Sequence, residues 1–228
     1  MPEWTFITKH AVALSLIAKH SRITALELGK AMSLTERGVR KLIADLYAAG
    51  YIDKKREGRI TVDKVDLPNV DIVADIEKGL AFLPDNSVDE IHCRSVLEHI
   101  QNFEDLMREI LRVLKKTGKA HIFVPHFSNP YYYSDYTHKR PFGLYTFYYF
   151  VETEQQLKRK VPNFYTDTRI NIVSQRLKFR SAFSILNPFK KLIGWFLNLH
   201  PVLQAYYEEN LCYVFPCHGI EIVFTPNS

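Results

Sequence analysis

At 228 residues and 46% hydrophobic content, the chain is long enough for one or two domains with a substantial core. No stretch reaches about eighteen consecutive apolar residues, so no membrane-spanning helix is predicted. Three cysteines (Cys93, Cys212 and Cys217) without C-x-x-C spacing argue against a disulfide framework or a cysteine zinc site, fit a reducing cytoplasm, and leave no metal centre expected. The net charge of +5 lies wholly in residues 1–60, with eleven Lys/Arg against six Asp/Glu; residues 61–228 hold nineteen of each.

Ala11, Leu14, Ile17 and Ala18 recur at helical spacing and predict an amphipathic helix over residues 7–20. Thr24 with Glu27, and Ser33 with Glu36, have the spacing of a capping box, in which the hydroxyl accepts a backbone N–H and the carboxylate returns the bond. They predict a short helix over 24–32 and a longer one over 33–49 that stops at Gly50, with Val39, Leu42, Ile43 and Leu46 on its apolar face. Residues 51–62 read as strand, turn, strand, with Gly58 available for positive φ at a Lys-Lys-Arg-Glu-Gly tip.

Three helices and a basic hairpin make a winged helix, and residues 4–10, 34–37 and 43–52 resemble small winged-helix transcriptional regulators of the MarR/ArsR-like kind. The resemblance implies a domain over residues 1–60 whose third helix enters the major groove of double-stranded DNA while its wing meets phosphates. The implied DNA contacts are Thr35, Arg37, Arg40 and Lys41 on the helix, and Lys54, Lys55, Arg56 and Arg59 on the wing. Glu36 would repel phosphate there, and a protein-interaction module or a solvated basic face are the other readings.

Apolar runs at 60–63, 70–76 and 88–95 read as strands; the first ends at Asp63, the second carries Asp75 and the third leads to Ser95. Residues 102–115 put Phe103, Leu106, Ile110, Val113 and Leu114 on one helical face, and Lys115-Lys-Thr-Gly118 ends that helix with cations and a glycine. Residues 119–125 form the next strand. Strands alternating with a helix imply a parallel sheet, with ligands at the carboxyl ends of its strands.

Val62-Asp63, Ala74-Asp75-Ile76, residues 83–91, Ser95-Val-Leu-Glu-His99 and residues 111–118 stand in an order that resembles class I S-adenosylmethionine (SAM)-dependent methyltransferases, especially the type 11 group. The resemblance implies SAM as cofactor, with Asp63 on the ribose hydroxyls, Asp75 and Ile76 flanking the adenine, and Ser95 lining the cofactor floor. A strand-end carboxylate is able to accept two ribose O–H bonds. The glycine loop that lets backbone approach the methionine part of the cofactor is missing: none of the nine glycines lies within two residues of another. The predicted fold is therefore α/β, a winged helix followed over residues 61–228 by an incomplete, Rossmann-like, mostly parallel sheet lacking its first strand and glycine loop.

Residues 126–142 are dense in aromatic and ionisable groups and follow a strand end. Methyltransferases of the type 11 group carry a similar Asp-x-Thr-His stretch there, which makes His126, Asp135 and His138 the acceptor-side candidates. A histidine serves as general base toward a hydroxyl or amine; packed tyrosines and structural histidines are the alternative. Residues 170–180 and 219–225 read as closing strands, an antiparallel edge pair of the sheet. Between them, the apolar residues 183–213 with Trp195 read as a lid helix, a homodimer face or a membrane-surface helix. Two functions follow: methyl transfer from SAM to a small-molecule or glycan-like acceptor, or a DNA-binding regulator whose degenerate methyltransferase domain senses or dimerises.

Overall fold

The computed structural model describes residues 30–35, 38, 60–66 and 70–227, and the chain divides into two compact units between residues 76 and 77. The helix expected over 7–20, most of the two that follow, and the basic wing lie outside the described residues.

In the first unit, residues 30–32 are helical and Ser33 turns into the left-handed region at φ 53°, its N–H meeting the Lys30 carbonyl at 3.3 Å. The hydroxyl of Thr35 accepts the N–H of Gly38 at 3.2 Å. The cap expected at Ser33 thus moves two residues: Ser33 closes one helical turn and Thr35 caps the next. Strands β1 (Val62–Asp63) and β2 (Ile72–Val73) pair in parallel, as the sequence suggested. The Thr61 N–H donates to Asp71 Oδ2 at 2.9 Å and the Ala74 N–H to the Asp63 carbonyl at 2.8 Å, so the short ladder is closed at both ends.

The second unit is built on β3 (Val88–Arg94), β4 (Leu114–Pro125), β5 (Ile170–Lys178) and β6 (Gly219–Pro226), in the spatial order β3–β4–β6–β5. β3 and β4 are parallel, whereas β6 runs antiparallel to both β4 and β5. The sheet is therefore mixed rather than mostly parallel. Residues 170–178 and 219–226 do pair antiparallel, but β6 is an interior strand, with Ile220, Ile222 and Phe224 fully buried. The connection explains the direction. After β5, helices α3 (Asn187–Leu197) and α4 (Pro201–Asn210) return the chain to the end of the sheet it left, so that Gly219 opens β6 opposite Lys178. A Cβ at Gly219 would stand 2.4 Å from the Phe123 ring and 2.7 Å from the Val124 carbonyl, so only glycine lets β6 start beside β4.

Helix α1 (Phe103–Val113) buries Phe103, Leu106, Met107, Ile110 and Val113, the stripe read from the sequence. Just ahead of its first turn, the Glu77 Oε1 accepts the N–H groups of Gln101 and Asn102 at 2.7 and 2.9 Å. The helix ends at Val113, not at the Lys-Lys-Thr-Gly segment; Leu114 is extended and residues 115–118 already belong to β4. Gly118 marks the reason. A Cβ there would meet the carbonyls of Lys115, Asp89 and Val88 at 2.9–3.0 Å, where β4 carries extra residues opposite Val88–Glu90. No helix among the described residues is long and apolar enough to cross a membrane.

Candidate active site

Because β3 and β4 are parallel, the residues that follow them emerge at the same edge of the sheet, where ligands collect in α/β folds. After β3, Ser95 takes φ 52° and donates its N–H to the Phe123 carbonyl at 2.9 Å. A tight turn over Leu97–His99 follows, anchored by the fully buried Leu97. After β4, the Asn129 side chain caps the short helix α2 (Pro130–Ser134), and the chain continues through Asp135, Thr137 and His138. The two loops are joined by backbone. The Lys139 N–H donates to the Glu98 carbonyl at 2.7 Å, and the Arg140 guanidinium donates to the Ile100 and Gln101 carbonyls while lying 5.0 Å over the Phe103 ring.

This junction gathers Glu98, His99, Asp135, Thr137 and His138. The Thr137 hydroxyl lies 2.5 Å from Asp135 Oδ1, which also accepts the Thr137 N–H at 2.9 Å. A carboxylate only accepts, so the hydroxyl proton points to Asp135 and the same oxygen accepts from His99 Nδ1 at 3.0 Å. His138 Nδ1 donates to the Tyr132 carbonyl at 2.8 Å, and its ring stacks on Tyr132 at 4.8 Å. Both imidazoles therefore donate from Nδ1, and His138 turns its Nε2 toward Asp135 Oδ2 at 3.6 Å. Glu98 is 1% exposed, and its Oε2 has no hydrogen-bond partner. Burial pushes the Glu98 carboxyl up to about 7, while the bonds from the Thr137 hydroxyl and N–H hold Asp135 below its ordinary value.

Asp135 and His138 thus come together, joined by Glu98 and His99 from the other loop. His126 does not join them. It is fully buried; the Ser128 N–H donates to its Nδ1 at 3.0 Å, and its Nε2 meets Glu208 Oε2 of α4 at 3.1 Å. With both ring nitrogens engaged and no exposed surface, His126 positions the loop after β4 instead of facing an acceptor. Glu208, which also accepts the Leu144 N–H, had no sequence signal; Glu98 and His99 stood in a quoted motif without an assigned role. The Cys93 and Cys217 thiols are pushed up to about 12, chiefly by burial, and stay protonated.

In the first unit, Asp63 is exposed at the end of β1, with Oδ1 accepting the Val65 N–H at 2.9 Å, and so retains acceptor capacity toward hydroxyls. Asp75 pairs with Lys64 Nζ at 3.1 Å, and Ile76 is half-buried. Thr35 spends its hydroxyl on the helix cap. Arg37, Arg40, Lys41, Lys54, Lys55, Arg56 and Arg59 lie outside the described residues.

Residues 11–122, just under half of the chain, match the family model described as a methyltransferase domain. The match crosses residues 11–60, where a winged helix was expected, and no comparison supports a winged helix there. No curated protein matches the chain. Among solved structures, a SAM-dependent methyltransferase from Archaeoglobus fulgidus is similar at 17% identity and TM-score 0.42, covering 82% of this chain and 81% of that one. Haemonchus contortus phosphoethanolamine N-methyltransferase 2 in complex with SAM is similar at 15% identity and TM-score 0.34, covering 64% of this chain and 34% of that one. The family match, together with the α/β sheet, supports a methyltransferase domain with SAM as its cofactor.

Proposed function

We propose that this chain is a SAM-dependent methyltransferase for a small-molecule acceptor, hydroxyl-bearing or amine-bearing, with Glu98, His99, Asp135 and His138 on the acceptor side. The observation that carries the reading is the convergence of these four residues past the carboxyl ends of β3 and β4, with Glu98 and His99 inside the matched methyltransferase residues and Asp135 and His138 on the loop that follows them. SAM supplies a sulfonium methyl group. Asp63 is assigned to its ribose hydroxyls, Asp75 and Ile76 to its adenine, and Ser95 to the floor of its site. On the acceptor side the new bond forms at the methyl carbon as the sulfur–carbon bond breaks, and the acceptor proton leaves toward the Nε2 lone pair of His138. Tyr132 holds that tautomer, so the base is ready without reorganisation. Orientation supplies much of the remaining acceleration.

The test is transfer of isotope-labelled methyl from SAM across a panel of hydroxyl and amine acceptors. Turnover that falls about a hundred- to ten-thousand-fold in His138→Ala supports the reading. No SAM binding, and no transfer to any acceptor, would overturn it. The charge of +5 confined to residues 1–60 favours a second reading, contact with double-stranded DNA. Salt-dependent duplex binding that is lost in Arg37→Ala and Arg40→Ala would support it.

A further inference from the structure

We infer that Glu98, His99 and His138 form a binding site for a divalent transition-metal ion of the zinc class. One ligating atom from each residue lies within 4.8 Å of the other two, a spacing that an ion with ligand bonds near 2 Å draws together with small side-chain movements. Cysteine spacing gives no sign of a metal centre; these ligands come from two loops about 40 positions apart, and the fold alone unites them.

Three observations converge on a cation. Glu98 Oε2 is buried and unpartnered, a costly arrangement for a carboxyl unless something positive meets it. Both histidines have their Nδ1 proton committed, to Thr137 on one side and to the Tyr132 carbonyl on the other, which fixes the ring orientations and leaves Nε2 for a ligand bond. Metal-binding histidines are held in this way, by a second hydrogen bond from the far nitrogen to a carbonyl or to an oxygen that is itself anchored. Finally, Asp135 Oδ2 stands 3.6 Å from His138 Nε2, which puts a second carboxylate beside the three ligands. Two imidazoles with a carboxylate select a borderline transition ion over magnesium or calcium.

What the ion does rests on the methyltransferase reading. With an ion bound, His138 Nε2 would be a ligand and no longer the base: the acceptor hydroxyl would become more acidic, and its proton would pass to the exposed Asp135 as the oxygen bonds to the methyl carbon and the sulfur–carbon bond breaks. Binding itself does not depend on that reading. The experiment is a titration of chelator-stripped full-length protein with Zn²⁺ against a competing chromophoric chelator, repeated with Co²⁺ to read its visible bands. Wild-type protein takes up one tight equivalent. Glu98→Gln and His138→Asn weaken it at least about a hundredfold, and Thr137→Val, which loses the bonds of one hydroxyl to His99 and Asp135 while keeping all three ligands, weakens it about ten- to a hundredfold. His92→Asn, in the separate Glu90–His92–His121 group, leaves it unchanged. The circular dichroism spectrum of each variant confirms folding. Absence of tight binding in wild type, or binding lost in His92→Asn but kept in His138→Asn, overturns the site. Metal binding without any methyl transfer would leave the site standing and remove the methyltransferase reading.

A different surface carries a second proposal independently: we propose that helix α3 docks on an anionic membrane surface. Its apolar stripe faces outward, with Ile185, Phe189, Leu192, Trp195, Phe196 and Leu199 all more than half exposed at helical spacing. Residues 168–207 contain six Lys/Arg and no Asp or Glu. Arg94, Arg180 and Lys191 line a groove beside the start of α3 in which the one carboxylate, Glu221, is paired with Lys178, a net cationic setting for lipid headgroups. The full chain should sediment with vesicles of phosphatidylcholine containing about one-third phosphatidylglycerol and not with phosphatidylcholine alone. Lys190→Glu/Lys191→Glu and Phe189→Ser/Phe196→Ser should each reduce binding at least about tenfold. No sedimentation with either vesicle, or a stable dimer that Phe189→Ser/Phe196→Ser converts to monomer, overturns the proposal.

Discussion

Two charged clusters sit in the second unit, and they differ in balance rather than in charge. Around Arg112, guanidinium protons are matched by acceptors: both Glu109 carboxylate oxygens, the Asp85 carboxylate, and the Leu80 and Leu83 carbonyls. Glu109 in turn accepts the Leu80 N–H at 2.9 Å. Around Glu98, acceptors go unmatched: one buried carboxyl oxygen has no hydrogen-bond partner, and a second carboxylate, Asp135, stands 3.6 Å from His138 Nε2. A matched cluster fastens α1 to the preceding loop and is complete by itself. An unmatched, buried one is incomplete until a proton, an acceptor or an ion arrives, and such imbalance marks functional sites.

The largest expected effect separates the two clusters outright. His138→Asn should lower methyl transfer about a hundred- to ten-thousand-fold with little change in the urea midpoint, whereas Arg112→Met should lower the midpoint and leave SAM affinity unchanged. A variant of either cluster that moved both readouts equally would erase the distinction. Next is Glu208→Ala. It strands the buried His126 Nε2–H and the Leu144 N–H, and should cost about 2–5 kcal/mol in chemical unfolding, since each lost partner costs about 1–3 kcal/mol. Methyl transfer should fall less than in His138→Asn, because Glu208 acts on the loop through His126.

Gly118→Ala should cost about 1–3 kcal/mol, as its Cβ meets three carbonyl oxygens at 2.9–3.0 Å. The smallest effect is acid-dependent. Hydrogen bonds from Arg112 and the Leu80 N–H hold the Glu109 carboxyl down at about 2, against about 4.5 when unfolded. Its contribution to stability is complete above about pH 4.5 and fades as pH falls toward 2. Glu109→Gln should therefore flatten the acid limb of the stability curve in that window and leave neutral pH behaviour of the Glu98 cluster untouched.

Local periodicity made much of the fold legible. The α1 stripe, the parallel β1–β2 and β3–β4 pairs and the antiparallel pairing of residues 170–178 with 219–226 all follow from short-range patterns. Events decided by distant backbone were not. The helix end at Val113 depends on the approach of β3 to Gly118, and the interior place of β6 depends on the turn made by α3 and α4. At the proposed site, the nearness of Asp135 and His138 was legible because they share one loop at a spacing of three. Glu98 stayed hidden because its meaning lies in a missing partner, and His126 read as reactive because sequence does not show that Ser128 and Glu208 occupy its ring. The cap at Thr35 rather than Ser33 was a choice between two hydroxyls two positions apart, which the capping-box pattern alone does not separate.

The most direct measurement is calorimetric titration of the full chain with SAM, alongside Asp75→Ala and His138→Asn. The account predicts micromolar binding by wild type, weakened about tenfold or more by Asp75→Ala and unchanged by His138→Asn, since one residue is assigned to cofactor and the other to acceptor. No heat of binding at millimolar SAM, or equal loss in both variants, would contradict it.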